Sequence, residues 1–124
     1  MARVLVVGGG ERAGELAGSG HLIDGDEGVD PARLVTLTPR LEGVSVVCWL
    51  FGDSGAEALH GDTLGALLEY LVDTPVRGLV YERSEAHPGG ERIVEQARET
   101  FRMRCAVISP GEDLAGAVQA VLAG

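Results

Sequence analysis

Four side chains in this sequence combine acid–base chemistry with a position suited to using it: His60, Glu82, Glu85 and His87. The last three follow directly on an apolar run ending at Tyr81, and functional groups gather past the carboxyl ends of strands. The competing reading is structural, because Glu85-Ala86-His87-Pro88 has the composition of an exposed loop. Nucleophilic chemistry is poorly served. Ser54 and Ser84 lack the glycine-flanked elbow that exposes a hydrolase serine, and all ten basic residues are arginine. Without lysine the chain forms neither a Schiff base nor a Walker-type phosphate loop. A formal charge of −9 repels a phosphate backbone or an anionic bilayer. It disfavours nucleic acid and membrane as partners and leaves small molecules or proteins.

A second cluster is built for binding. Gly8-Gly9-Gly10-Glu11-Arg12-Ala13-Gly14 follows an apolar run, and glycines at such a turn let the backbone approach a phosphate whose charge meets the N–H groups of a helix start. The turn can be read in two registers: Gly8, Glu11 and Gly14, or Gly8, Gly10 and Ala13. In the first, Glu11 sets a negative charge near the phosphates and opposes the helix terminus. Arg12 is either a phosphate ligand or a solvated arginine. Asp24 stands where an acid accepts hydrogen bonds from an adenosine ribose. It also belongs to an acidic stretch, Asp24, Asp26, Glu27 and Asp30, which reads equally as a solvated loop. The spacing of these acids superficially resembles a calcium loop but lacks a full ligand set, and no metal is expected. Cys48 and Cys105 sit in separate apolar runs and read as buried structural thiols.

The elements that must position these groups alternate regularly. Arg3–Val7 is a strand and Glu11–Gly18 a helix, with Ala13, Leu16 and Ala17 at helical spacing. His21–Asp24 is a short strand. Asp30 caps a helix that begins at Pro31, runs to about Leu41 and is closed by Gly43. Ser45–Phe51 is a continuous apolar run and the expected central strand. Ala56–Val72 carries leucines in helical register, stops at Asp73-Thr74-Pro75 and leads to a strand at Val76–Tyr81. After Pro88-Gly89-Gly90 come a helix from Glu91 to about Arg102, a strand at Cys105–Ser109 and a final helix over Glu112–Leu122.

Five strands alternating with five helices predict one domain over residues 1–124. It is an α/β fold of the Rossmann-like type, a doubly wound five-stranded parallel sheet of order 2-1-3-4-5 with helices on both faces. Ligands in such sheets bind at the switch point between the first and third strands, here Gly8–Gly14 and Gly52–Ser54. No apolar run approaches the roughly 20 residues of a membrane span, and no basic-then-apolar leader is evident, so the cytoplasm is the expected compartment. The strand order also suits a phosphorylation receiver with Asp53 as acceptor, but the acidic pair and the lysine of such a site are missing. A flavodoxin would need a hydroxyl-rich first loop, which GGGERAG does not supply.

Read as VLVVGGGERAG, the first strand and turn resemble the short-chain dehydrogenase/reductase superfamily, in particular its NAD-dependent epimerase/dehydratase-like branch with a GxxGxxG turn. LEGVSVVCWLFG is similar to that branch's fourth strand, and HGDTLGALLEYLVDTPVRGLVYERS to its next helix and fifth strand. The resemblance implies NAD or NADP as cofactor, held by Gly8, Gly9, Gly10, Arg12, Gly14, Asp24 and Gly52, with Asp24 favouring NAD. The family's catalytic pair is a tyrosine with a lysine four residues later. Here Tyr70 is followed by Thr74 and Tyr81 by Glu85, only Ser84 could replace the family's serine, and His60 falls where the family has a structural asparagine. No catalytic residue is carried over. The implied protein is a minimal, truncated Rossmann-like relative that binds a nucleotide as a sensor or accessory subunit. The alternatives are an interaction module that has lost the nucleotide site, with Glu11 as the mark of the loss, and an enzyme using Glu85 and His87. A homo-oligomer is expected, with the Ala56–Val72 and Glu91–Arg102 helices as contact elements.

Overall fold

Continuous apolar runs become the centre of the sheet because a strand covered on both faces has no solvent side to reserve for polar residues. The computed structural model describes residues 2–123, the side chains of Glu11 and Ser54 excepted. Its strands are β1 (Arg3–Gly8), β2 (Leu22–Asp24), β3 (Val46–Leu50), β4 (Gly78–Glu82) and β5 (Arg104–Ile108). They pair in parallel in the order 2-1-3-4-5. All five residues of β3 and of β4 are buried. The expected α/β architecture and strand order are therefore present, with β3 at the centre.

Alternation along the strands divides the interior in two. Leu5, Val7, Val47, Trp49, Leu79 and Tyr81 face one side, under α1 (Asp62–Val72) and α2 (Gly89–Phe101). Val4, Val6, Val46, Cys48, Leu50 and Val80 face the other, under α3 (Leu114–Ala123) and Leu16. Each fully buried side chain of this size contributes roughly 1.5–3 kcal/mol. Cys48 and Cys105 fall on opposite faces of the sheet. Burial pushes their thiols up to about 12 and about 11 respectively, so both stay protonated at neutral pH. Among the described residues no helix is long and apolar enough to cross a membrane.

The helices depart further from expectation than the strands. The expected helix over Glu11–Gly18 is a 3-10 segment, Gly10–Leu16, that leaves Ala17 extended. Glycines at 10, 14 and 18 each weaken an α-helix by roughly 1 kcal/mol relative to alanine, and among its described side chains Leu16 alone is fully buried.

The expected helix from Pro31 to Leu41 is replaced by two single 3-10 turns, Leu34–Thr36 and Thr38–Arg40. Here side chains compete for the backbone. Asp30 Oδ1 accepts from the Ala32 N–H at 3.0 Å, the Thr36 hydroxyl accepts from the Asp30 N–H at 2.8 Å, and that hydroxyl lies 2.7 Å from the Arg33 carbonyl. Pro39 removes a further donor. The segment still delivers Leu37 and Leu41 to the core.

The expected helix over Ala56–Val72 breaks at Gly61, separating a 3-10 turn, Glu57–His60, from α1. Three α-helices are thus present among the described residues, where five helices were expected. The remaining boundaries shift by one or two residues. α3 starts at Leu114 because Asp113 Oδ1 accepts from the Gly116 N–H at 3.1 Å.

Gly78 opens β4 opposite Arg104 of β5. A Cβ there would lie 2.0 Å from the Arg104 carbonyl oxygen and 2.6 Å from Val121 Cγ1. Backbone cannot move aside as a side chain does, so Gly78→Ala is expected to destabilise the fold by about 2 kcal/mol, several degrees in a domain of this size. Thermal unfolding checks it, and an unchanged midpoint would contradict the close approach of β4, β5 and α3.

Candidate functional site

At the end of β1 the chain turns through two consecutive left-handed glycines, Gly8 (φ 74°) and Gly9 (φ 75°). A Cβ on Gly8 would stand 2.8 Å from Phe51 Cε1 and 2.9 Å from the Leu50 carbonyl oxygen, and one on Gly9 2.9 Å from Leu50 Cβ. Both glycines are therefore required by the packing of the turn against the end of β3, whatever binds above it. Gly10 begins the 3-10 segment, and Gly14 faces open space, with no heavy atom within 4 Å of an added Cβ. No close approach at Gly14 requires a glycine.

The Gly8 N–H donates to Asp26 Oδ2 at 2.9 Å. The acid that reaches the turn is thus Asp26. Asp24, the residue singled out by sequence position, pairs with Arg3 at 3.5 Å, and Asp30 is occupied in its own turn. Asp26 Oδ1 makes no hydrogen bond among the described residues.

Arg12 is neither solvated nor free. Its Nη1 pairs with Glu82 Oε2, its Nη2 donates to the Glu112 backbone carbonyl, and its Nε donates to Glu15 Oε2 at 2.8 Å. The side chains of Arg12 and Glu82 are only 14% and 7% exposed. The hydrogen bond to Glu15 and the one to Glu82 raise the arginine's pKa against an opposing effect of burial. Gly52 (φ 50°) makes room for the partner, since a Cβ there would lie 2.7 Å from Glu82 Oε1. One guanidinium thereby ties the segment after β1, the end of β4 and the turn after β5 together over the carboxyl end of the sheet. The side chains of Glu11 and Ser54 lie outside the described residues.

On the same strand, β4, but on its α1/α2 face, the structure brings His60, Tyr81 and His87 together. His60 is buried, its Nδ1 hydrogen-bonds the Tyr81 hydroxyl, and its ring stacks on His87 with centroids 5.2 Å apart and 18° between planes. Its Nε2 is buried without a hydrogen-bond partner. Burial, then the neighbouring His87, hold the His60 pKa below the usual histidine range, while the nearby Gly52 carbonyl acts in the opposite sense. Burial pushes Tyr81 up to about 12. Ser84 donates to Asp53 Oδ1 at 2.7 Å, which with the Ala86 N–H lowers the Asp53 pKa and secures the loop after β4. Of the four acid–base candidates, His60 and His87 meet, Glu82 is committed to Arg12 and Glu85 is exposed. Among the described residues no three histidine, cysteine or acidic side chains converge as a metal site.

No family model, curated protein or solved structure matches the chain.

Tyr81 and the Asp26–Gly8 contact had no signal in local spacing. Glu82 did have one: a carboxylate ending an apolar strand needs a partner, and Arg12 follows the turn after β1, with only β3 between β1 and β4 in the sheet. Removing one member of a buried pair strands the other. Glu82→Ala is accordingly expected to cost about 3 kcal/mol of stability, read by denaturant unfolding, and a loss within error of zero would show the pair to be dispensable. His60 gives a pH signature. Its folded-state pKa is lowered, so the unfolded chain binds more protons once the pH falls below about 6.5. The corresponding stability is present above that pH and lost below it. The fall in melting temperature between about pH 7.5 and 5.5 should therefore shrink in His60→Gln, and an identical fall in both proteins would remove His60 as its source.

Proposed function

We propose that this chain binds an adenine dinucleotide, NAD or NADP, at the β1–β3 switch point, and acts as a nucleotide sensor or accessory subunit rather than a dehydrogenase. The observation that carries the reading is the Asp26 carboxylate on the Gly8 N–H. In doubly wound sheets that bind dinucleotides the ribose-binding acid stands just past the second strand, beside the glycine turn. Asp26 stands there with Oδ1 available for a ribose hydroxyl. Arg12 is the cation beside the turn. A pyrophosphate oxygen would replace the neutral Glu112 carbonyl on its guanidinium while Glu82 stays in place, and the charged acceptor is the stronger one. With no lysine, the tyrosine–lysine pair of the resembling superfamily is missing, and no hydride transfer is assigned. The reading places the protein in the cytoplasm, where thiols such as Cys48 and Cys105 stay reduced.

A second reading, an interaction module without a nucleotide, is favoured by one observation. The three contacts of Arg12 and the Phe51 ring over Gly8 already fill space where a pyrophosphate would lie. Thermal unfolding with about 1 mM NAD, NADP, FAD or ATP separates the two. A ligand present at about 100 times its dissociation constant adds roughly 2.7 kcal/mol, several degrees here. A shift with one dinucleotide that is lost in Asp26→Ala is the expected result, and no shift with any of the four transfers the conclusion to the interaction module. Gly8→Val is unsuitable as the control, because its side chain would meet Phe51 and the Leu50 carbonyl in the absence of ligand.

A further inference from the structure

The two edges of the sheet carry opposite charge. At the open side of β5 a groove of about 450 Å³ runs between α2 and α3, its rim formed by Arg98, Arg102 and Arg104 and its floor by Met103, Cys105 and Val121. No acidic residue lines it, in a chain whose formal charge is −9. Arg98 holds Glu95 of its own helix, and Arg102 and Arg104 make no ion pair or side-chain hydrogen bond among the described residues. Arg102 is also the one non-glycine residue among those described with positive φ, at 53°. It sits at the end of α2, where glycine would fit without strain.

The opposite edge, β2, is acidic. Counting Arg3 of the neighbouring β1, five acids (Asp24, Asp26, Glu27, Asp30 and Glu42) stand there against three arginines (Arg3, Arg33 and Arg40). A groove of about 590 Å³ there is lined by Arg3, Leu22, Asp24, Arg40 and Glu42 among others. Its two arginines are engaged by acids of the same edge, Arg3 by Asp24 and Arg40 by Glu27. Glu42 is left without an ion-pair partner among the described residues.

Exposed large hydrophobic side chains divide in the same way. Leu22 (47% exposed) lines the groove of the acidic side. Val72 (46%) and Phe101 (37%) line a smaller groove with Arg77, Arg102 and Met103, adjoining the basic one.

From this pairing of charge and apolar surface we infer that copies of this chain associate head to tail, the β2 edge of one seated on the β5 edge of the next. The occupant of the arginine groove is a second copy of the chain. Ion pairs from Glu42, and from the exposed Glu27, whose contact with Arg40 is a loose 3.9 Å pair, to Arg102 and Arg104 set the orientation, and the exposed apolar residues supply contact area. Because the two patches differ, the interface is heterologous. It extends into a chain or closes into a ring, and does not stop at a twofold dimer. The inference is independent of nucleotide binding, since neither groove includes Gly8, Arg12 or Gly52.

Sedimentation velocity on the full chain tests it, from about 10 μM to 1 mM protein, at about 20 mM and 500 mM salt. The expected result is a mass that grows past the dimer with concentration, and association weakened about tenfold or more by the added salt. Two charge-swapped proteins sharpen the test: Arg102→Glu with Arg104→Glu, and Glu27→Arg with Glu42→Arg. Each should be monomeric alone, while an equimolar mixture should regain association because every contact again joins opposite charges. A wild-type monomer throughout, a mass that stops at the dimer, or association that survives both swaps would overturn the inference. Should a swapped protein fail to fold by circular dichroism, the salt series on the wild-type chain decides alone, and salt-independent association counts against it.

Discussion

The carboxyl end of the sheet depends on the ion pair between Arg12 and Glu82. A charge taken out of water is tolerated only with a partner and with its remaining hydrogen bonds satisfied. Arg12 meets that condition through Glu82, Glu15 and the Glu112 carbonyl. The consequences spread to residues with no charge of their own. Gly52 must be glycine to leave space for the Glu82 carboxylate, and the turn after β5 is fastened to the segment after β1. A region that in related architectures is a cleft for ligand is here cross-braced by the chain itself.

That bracing defines how a ligand would be accommodated. The groups at the switch point that would meet a nucleotide on the proposed reading, the Gly8 N–H and the Arg12 guanidinium, both hold oxygen acceptors of the protein. Binding would therefore be an exchange of partners, with affinity set by how much better a phosphate or ribose oxygen serves than the acceptor it replaces. The His60–Tyr81–His87 group, on the α1/α2 face of β4, is a separate polar island. Its members stabilise one another by stacking and hydrogen bonding, and burial keeps both the imidazole and the phenol neutral.

The strands were legible because they are buried on both faces, which writes an unbroken apolar run at Val4–Val7, Val46–Leu50 and Leu79–Tyr81. The helices were less so. Apolar periodicity between Pro31 and Leu41 marks which residues reach the core, and Leu37 and Leu41 do. It cannot register that Asp30 and Thr36 offer the backbone competing partners or that Pro39 withholds a donor. At the site, sequence position pointed to Asp24, whereas the acid on the Gly8 N–H is Asp26. Asp24 is the last residue of β2, yet the loop beyond Gly25 carries Asp26 back to Gly8. Contacts such as Asp26 with Gly8, or Tyr81 with His60, join residues well separated in the chain and leave no trace in local spacing.

β2 has only three residues, none of them fully buried, and pairs with a neighbour on one side alone. Edge segments with so few buried contacts open locally long before a domain unfolds. The carboxylate that covers the Gly8 amide is carried by the loop leaving this strand. When the edge frays, Asp26 departs while β1, β3 and β4 remain packed between their two cores. The amide at the head of the glycine turn is thus guarded by the least secured part of the sheet, and its uncovering is a sub-global event with a free-energy cost smaller than that of unfolding.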